Sequence, residues 1–257
     1  MSAPVLWQFT GSHFNEKARW ALDWKGVRHE RRSLLPGPHA LKIWRMTGQT
    51  SVPVLELDGR AIHDSTRIIA ALEEAYPEPP LYPSDPAARR RALELEDYFD
   101  EELGPHIRRF AFDKVMPHAD FAAAMFTHDA SGFARNTWRL AFPLVRAGIR
   151  KGLRIDREGV ELSRRKTFAA LDRLEREIGP SGYLVGDSFT VADLTAAALL
   201  SPIVGPPEFP YPSPPKVPQS IVEFRDSLSG GPAFRWVEEM YRRHRVPSAA
   251  TQRPAAL

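Results

Sequence analysis

Three short stretches hold the residues whose types and spacing could do chemistry. In "FTGSHFNEKARWAL" (9–22), Ser12 stands between the end of an apolar run and the start of a helical pattern. A hydroxyl at a helix N-terminus caps free amides, and the same amides and dipole favour an anion beside it. Such a hydroxyl can donate to a thiolate and lower a thiol's pKa by stabilising its charged form. Asn15 is a second candidate donor, and His13 a candidate base. In "TSVPVLELDG" (50–59), a cis Val52–Pro53 bond would turn the Val52 amide and carbonyl outward to pair with an extended peptide. A trans proline opening a strand is the ordinary alternative. In "IHDSTRIIAALEEAYP" (62–77), Ser65 reads as the N-cap of a helix over 66–75. With Asp64 it could grip an α-amino-acid end, carboxylate at the helix N-terminus and ammonium on the aspartate.

The chain has no cysteine, which excludes disulfides, thiolate metal sites and a cysteine nucleophile. Any thiol must arrive with a ligand. At 257 residues, 43% hydrophobic and 26% charged, the sequence matches a globular protein of one large or two small domains. It shows no apolar run of roughly 20 residues, so a cytoplasmic location without membrane contact is the expectation. The net charge is only +3, but residues 104–157 carry ten Arg or Lys against four acids. That bias reads as a solvated helical face, with anionic substrates or nucleic acid as alternatives. No aromatic-basic interleaving supports nucleic acid.

The elements that must position these residues alternate in period. "PVLWQF" reads as a buried strand and "NEKARWALDWKG" as a helix with Ala18, Ala21, Leu22 and Trp24 inward, stopped at Gly26. "VRHERRSLL" gives a second strand and "ALKIWRM" a short helix. "VPVLEL-DG-RAIH" predicts a hairpin turning at Asp58-Gly59. The order βαβαββα spans 1–77, its first two strands parallel and its last two antiparallel. A proline-rich linker follows at 78–86, then an all-helical domain over 87–246 and a frayed tail over 247–257. Eight prolines in 201–218 make that stretch a loop.

"VPVLELDGRAIHDSTRIIAALEEAYPEPPLYP" (52–83) resembles the N-terminal thioredoxin-like domain of the glutathione S-transferase superfamily, and "GDSFTVADLTAAALL" (186–200) resembles its helical-domain signature. In the latter, Thr190 and Asp193 have capping-box spacing. The resemblance covers roughly 4–245, weakly through 104–157. It implies a cis Pro53, a Val52 backbone pairing with the cysteinyl part of glutathione, and Asp64 and Ser65 on the γ-glutamyl end. Gln49 and Lys42 become candidates for the glycyl carboxylate. Ser12 falls where serine-type members activate the thiol and omega-like members carry cysteine; Trp7 and Gln8 fall where tyrosine-type members carry tyrosine. The implied activity is transfer of glutathione to a small hydrophobic or anionic electrophile held against Tyr98, Phe99 and Phe110, a detoxifying chemistry that needs no metal. A homodimer is implied as well. A non-catalytic glutathione-binding or regulatory member, and a glutathione-dependent isomerase or lyase, are the alternatives.

Overall fold

Alternating side-chain direction along short strands builds the first layer. The computed structural model describes residues 3–128, 131–214 and 216–251. In β1 (Val5–Gln8), Leu6 joins Leu55 and Leu57 in the main core, while the next residue, Trp7, faces the opposite side with Ile43 and Val54. β1 pairs parallel with β2 (His29–Ser33) and antiparallel with β3 (Val54–Leu57), which pairs antiparallel with β4 (Arg60–His63). The hairpin turns at Asp58 (φ 48°) and Gly59 (φ 77°), both left-handed as a type I′ turn requires.

α1 (His13–Trp24) and α3 (Ser65–Ala75) pack on the Leu6 face, and α2 (His39–Thr47) supplies Ile43 to the other. Gly26, φ 62°, lies one residue beyond the Lys25 C-cap of α1. The expected amphipathic pattern of α1 is only half the story. Glu16, Lys17, Arg19 and Asp23 are buried along with the apolar face, because Glu96 and Asp100 pair with Lys17 and Arg245 pairs with Glu16 and Asp23.

The linker is pinned on both flanks. Lys25 Nζ donates to the carbonyls of Tyr76 (2.7 Å) and Pro79 (3.0 Å), and the Glu73 carboxylate accepts from the amides of Leu81 and Tyr82. The helical part then runs through α4 (Pro86–Tyr98), a π-helical turn (Phe99–Leu103), α5 (Gly104–Val115), α6 (Ala119–Phe126), α7 (Gly132–Gly152), α8 (Arg157–Glu177), α9 (Val191–Val204), α10 (Gln219–Asp226) and α11 (Pro232–His244). α9 is buried on all sides except at Pro202, and it packs against α1, joining the two halves in one core. Its capping box is formed: Asp193 accepts from the Thr190 amide, and the Thr190 hydroxyl accepts from the Ala192 amide.

The tail departs from expectation. Ala250–Thr251 form β5, which pairs parallel with β2 and extends the sheet order to β4-β3-β1-β2-β5. An open edge of β2 offers unpaired backbone groups. Asp23 Oδ1 accepts from the Ala249 amide (2.9 Å), and Thr251 donates to the His29 carbonyl (3.2 Å), so this segment is held and not frayed. The end of that expected tail, 252–257, lies outside the described residues.

Candidate active site at the turn between β1 and α1

Ser12 is the N-cap of α1, with extended backbone (φ −89°, ψ 129°), and its Oγ accepts from the Asn15 amide at 3.4 Å. Its hydroxyl proton has no acceptor among the described residues, so it remains free to donate. The first amides of α1 add oriented N–H groups and partial positive charge at the same point.

Arg19, fully buried one turn and a half along α1, fixes this turn. Its guanidinium donates to the carbonyls of Phe9 and Ser12 (3.2 Å each) and to Gln8 Oε1 (2.8 Å), and pairs with Glu16 at 2.7 Å. The rings of Phe209 and Tyr211, from the proline-rich loop, lie 5.4 and 5.1 Å from its Cζ, and Gln8 Nε2 donates to the Tyr211 hydroxyl. Sequence reasoning left Arg19 and Tyr211 out, because partners 190 or more residues apart leave no local pattern.

The turn opens on a cavity of about 1060 Å³. Ser12 and His13 line it beside Thr50, Ser51 and Val52; α5 contributes Arg108, Ala111 and Phe112; α6 and α7 contribute Met125 and Ile149; the proline-rich loop closes it with Phe209 and Tyr211. The basic region 104–157 and the stretch 201–218 both contribute to its walls; the latter is not loop throughout, since α9 runs on through Pro202 to Val204. No acidic side chain lines it among the described residues.

The predicted site residues divide. Ser12 and Val52 meet at the cavity, Val52–Pro53 is cis, and Val52 precedes the β3 ladder. Asp64, and not Ser65, is the N-cap of α3: Asp64 Oδ1 accepts from the amides of Thr66 (3.0 Å) and Arg67 (3.3 Å), and Ser65 is the buried first residue of the helix. Asp64 itself is exposed, at φ 75°, a conformation an aspartate adopts only at a cost of about 1–3 kcal/mol. Asn15 is fully buried, with its side-chain amide unpartnered, and does not reach the cavity. Gln49 folds back on its own loop, donating to Thr47 Oγ1 and the Ser51 carbonyl at 3.0 Å, and Lys42 lies 4.0 Å over the Trp7 ring; neither lines the cavity.

Tyr98, Phe99 and Phe110 do not line it either. Phe99 is fully buried and Phe110 nearly so, both turned toward the core, while Tyr98 stands edge-on to Phe99. Helical periodicity explains the difference: on α5 it is Arg108, Ala111, Phe112 and Val115 that face the opening. His13 is no base. Burial, then the charge of Arg108, pull its pKa down to about 3. Its Nε2 donates to the Gly104 carbonyl at 2.9 Å, leaving a neutral ring too weakly basic to hold a thiol's proton.

Two family models match the chain: Glutathione S-transferase, N-terminal domain, over residues 6–80, and Glutathione S-transferase, C-terminal domain, over 157–239. The chain belongs to the glutathione S-transferase superfamily. A probable maleylacetoacetate isomerase from Caenorhabditis elegans is 35% identical over 91 residues, 35% of this chain and 42% of that protein. A probable glutathione S-transferase from Nicotiana tabacum is 24% identical over 197 residues, 76% of this chain and 69% of that one. The chain thus spans less than half the length of the first of these relatives. Among solved structures, a glutathione S-transferase from Xanthobacter autotrophicus superposes with TM-score 0.62 at 19% identity, over 95% of this chain and 94% of that one. One from Methylobacterium radiotolerans, in complex with glutathione sulfonate, superposes with TM-score 0.56 at 22% identity over the whole of both chains. Within this glutathione S-transferase fold, the two family models leave residues 81–156 unmatched, and that interval contains α5, α6 and α7 of the cavity wall. Among the described residues no group of three or more His, Cys, Asp or Glu is placed to hold a metal ion, and no helix is long and apolar enough to cross a membrane.

Proposed function

We propose that the chain is a glutathione-dependent transferase that presents the glutathione thiolate at Ser12 to an electrophile in the adjoining cavity. The observation that carries this reading is a hydroxyl with an unused proton, at the N-terminus of α1, on the wall of a cavity whose rim is Val52. The Val52 amide and carbonyl lie outside the β3 ladder and fit the backbone of the cysteinyl residue. Asp64 has one carboxylate oxygen beyond those its own helix uses, suited to the γ-glutamyl ammonium. For the glycyl carboxylate no predicted residue reaches the cavity.

Lowering a thiol pKa by two units takes about 3 kcal/mol of preferential thiolate stabilisation. A hydrogen bond to a charged acceptor and a helix N-terminus together are of that order. In the reaction the thiol releases its proton to solvent, the sulfur forms a bond to an electrophilic carbon, and the leaving group departs with its electron pair. With Ser12→Ala, the pKa of bound glutathione, followed by thiolate ultraviolet absorbance, should rise about two units toward the free value, and kcat/KM at neutral pH should fall about 10- to 100-fold. An unchanged bound pKa removes Ser12 from the chemistry.

The relatives named maleylacetoacetate isomerase favour a second reading, in which glutathione adds and leaves again. Mass spectrometry of the products separates the two: a conjugate for transfer, free glutathione and a rearranged substrate for isomerisation. The reading extends to a homodimer working in the cytoplasm, which sedimentation of the purified protein and fractionation of its native cells test.

A further inference from the structure

Among the described residues, the cavity holds an arginine that no carboxylate pairs with. Arg108 faces it from α5, partly buried, and its Nε is buried without a hydrogen-bond partner. Among the described residues its guanidinium makes no ion pair. Its neighbours are the Phe14 ring, 5.8 Å from Cζ, and the like charge of Arg109, itself engaged by Leu153 O and Ser163 Oγ (2.9 Å). Burial, then Arg109, hold Arg108 below the ordinary arginine range, and no carboxylate counters them.

Two buried guanidinium groups among the described residues are met by carboxylates. Arg19 and Arg245, with side chains 0% and 2% exposed, hold Glu16 at 2.7 and 2.6 Å. The second arginine on the cavity wall, Arg225, is committed to the backbone carbonyls of Val204 and Gly205. With no acidic side chain on the described wall, Arg108 is the cation left over in a largely apolar chamber. An unpaired charge away from water is costly unless a partner arrives to meet it.

We propose that Arg108 is a specificity-determining residue and that the electrophile carries a carboxylate which it pairs with, on an apolar body of aromatic size. This rests on the reading that Ser12 presents the glutathione thiolate to the same cavity. Sulfur bonds to the electrophilic carbon and the leaving group departs as before. The carboxylate stays intact and serves only as the handle that orients the substrate.

The test measures binding by calorimetry to wild type, Arg108→Met and Arg108→Lys. One probe pair is S-(4-carboxybenzyl)glutathione and S-(4-methylbenzyl)glutathione; the other, free of glutathione, is 2-naphthoate and 2-naphthylmethanol. Wild type should favour the carboxylate of each pair about tenfold or more. Arg108→Met should abolish that preference while keeping the neutral probes' affinity, and Arg108→Lys should restore part of it. Equal binding within the pairs by wild type overturns the proposal with no variant needed. So does a preference that survives Arg108→Met, or an Arg108→Met variant that alters only the bound thiol's pKa, which would give the arginine to the thiolate. S-methylglutathione judges the underlying reading separately. If it does not bind while the naphthoate preference depends on Arg108, the glutathione reading falls and the anion site stands.

Discussion

Ser12 and His13 are neighbours with opposite prospects, and burial separates them. The serine keeps a free proton at a helix N-terminus on the cavity wall. The histidine is wedged against the Gly104 carbonyl with its pKa pulled down to about 3 by burial and Arg108. The rate profile should therefore carry no titration of His13: kcat/KM against pH should rise along one limb set by the bound thiol, and His13→Gln, whose amide can still donate to Gly104, should leave that limb in place. A limb between pH 5 and 7 that disappears in His13→Gln would return the histidine to the chemistry. Ser12 was legible in the sequence because a lone hydroxyl before a helix is a local pattern. His13's neutrality was not, since it comes from burial under other elements and from Arg108, 95 residues away.

At the level of elements, α1 reaches its place because α5 lets it. Gly104 opens α5 just after the π-helical turn, and a β-carbon there would lie 2.3 Å from Phe14 Cζ. The missing side chain lets the first turn of α1 approach closely enough for the His13–Gly104 bond. Gly104→Ala should destabilise the fold by about 1–3 kcal/mol, as overpacking does, and displace the turn that holds Ser12. Chemical denaturation measures the loss, and the pair Gly104→Ala with Phe14→Leu should recover part of it; without such recovery the clash is not the cause. The hairpin, the capping box and the start of α1 were readable because each is local chemistry: Asp58-Gly59, Thr190 with Asp193, Ser12. The cavity wall was not. Choosing Tyr98, Phe99 and Phe110 for it used aromatic character, whereas the phase of α5 against its neighbours decides which side chains face out.

Over the whole molecule, the order of sheet and helices could be read from period alone, but the buried polar layer on α1 could not, since its partners, Glu96, Asp100 and Arg245 among them, come from distant parts of the chain. Histidines held in the fold make stability depend on pH. His13 is pulled down to about 3, half-exposed His244 to about 4, and His29 is lowered as well, all by burial first. Unfolded, each takes a proton near pH 6.5, so below that the unfolded state binds more protons and stability falls as pH falls. The slope is at most about 1.4 kcal/mol per pH unit for a fully buried histidine. His39 and His106 are lowered in the same way, and Asp193, raised by burial to about 6, works in the opposite sense between its unfolded value and pH 6, one group against five. Melting temperature should thus be flat above pH 7 and drop from pH 6.5 downward; a flat profile to pH 4.5 would contradict the buried neutral rings.

Arg245 ties the last helix to the first, and the case for it is electrostatic. Its guanidinium meets Glu16 at 2.6 Å and Asp23 at 2.8 Å, with side chains between 0 and 2% exposed, while Asp23 also holds Arg31 at 2.6 Å and the amide that leads into β5. Burial disfavours the charge, yet the two carboxylates overcome it and hold the guanidinium above its ordinary range. Removing one partner from such a set leaves the others charged in a site without water, which costs far more than the pair contributes net. Arg245→Met, matched in length but uncharged, should therefore destabilise the protein by about 3–5 kcal/mol. Replacing its acids as well, as Arg245→Met with Glu16→Gln and Asp23→Asn, also strips Arg19 and Arg31 of those carboxylates and should cost more than the single change. Denaturation midpoints of the two variants decide it: a triple variant no weaker than the single one would mean that packing by the Arg245 side chain, and not charge, joins the two ends of the chain.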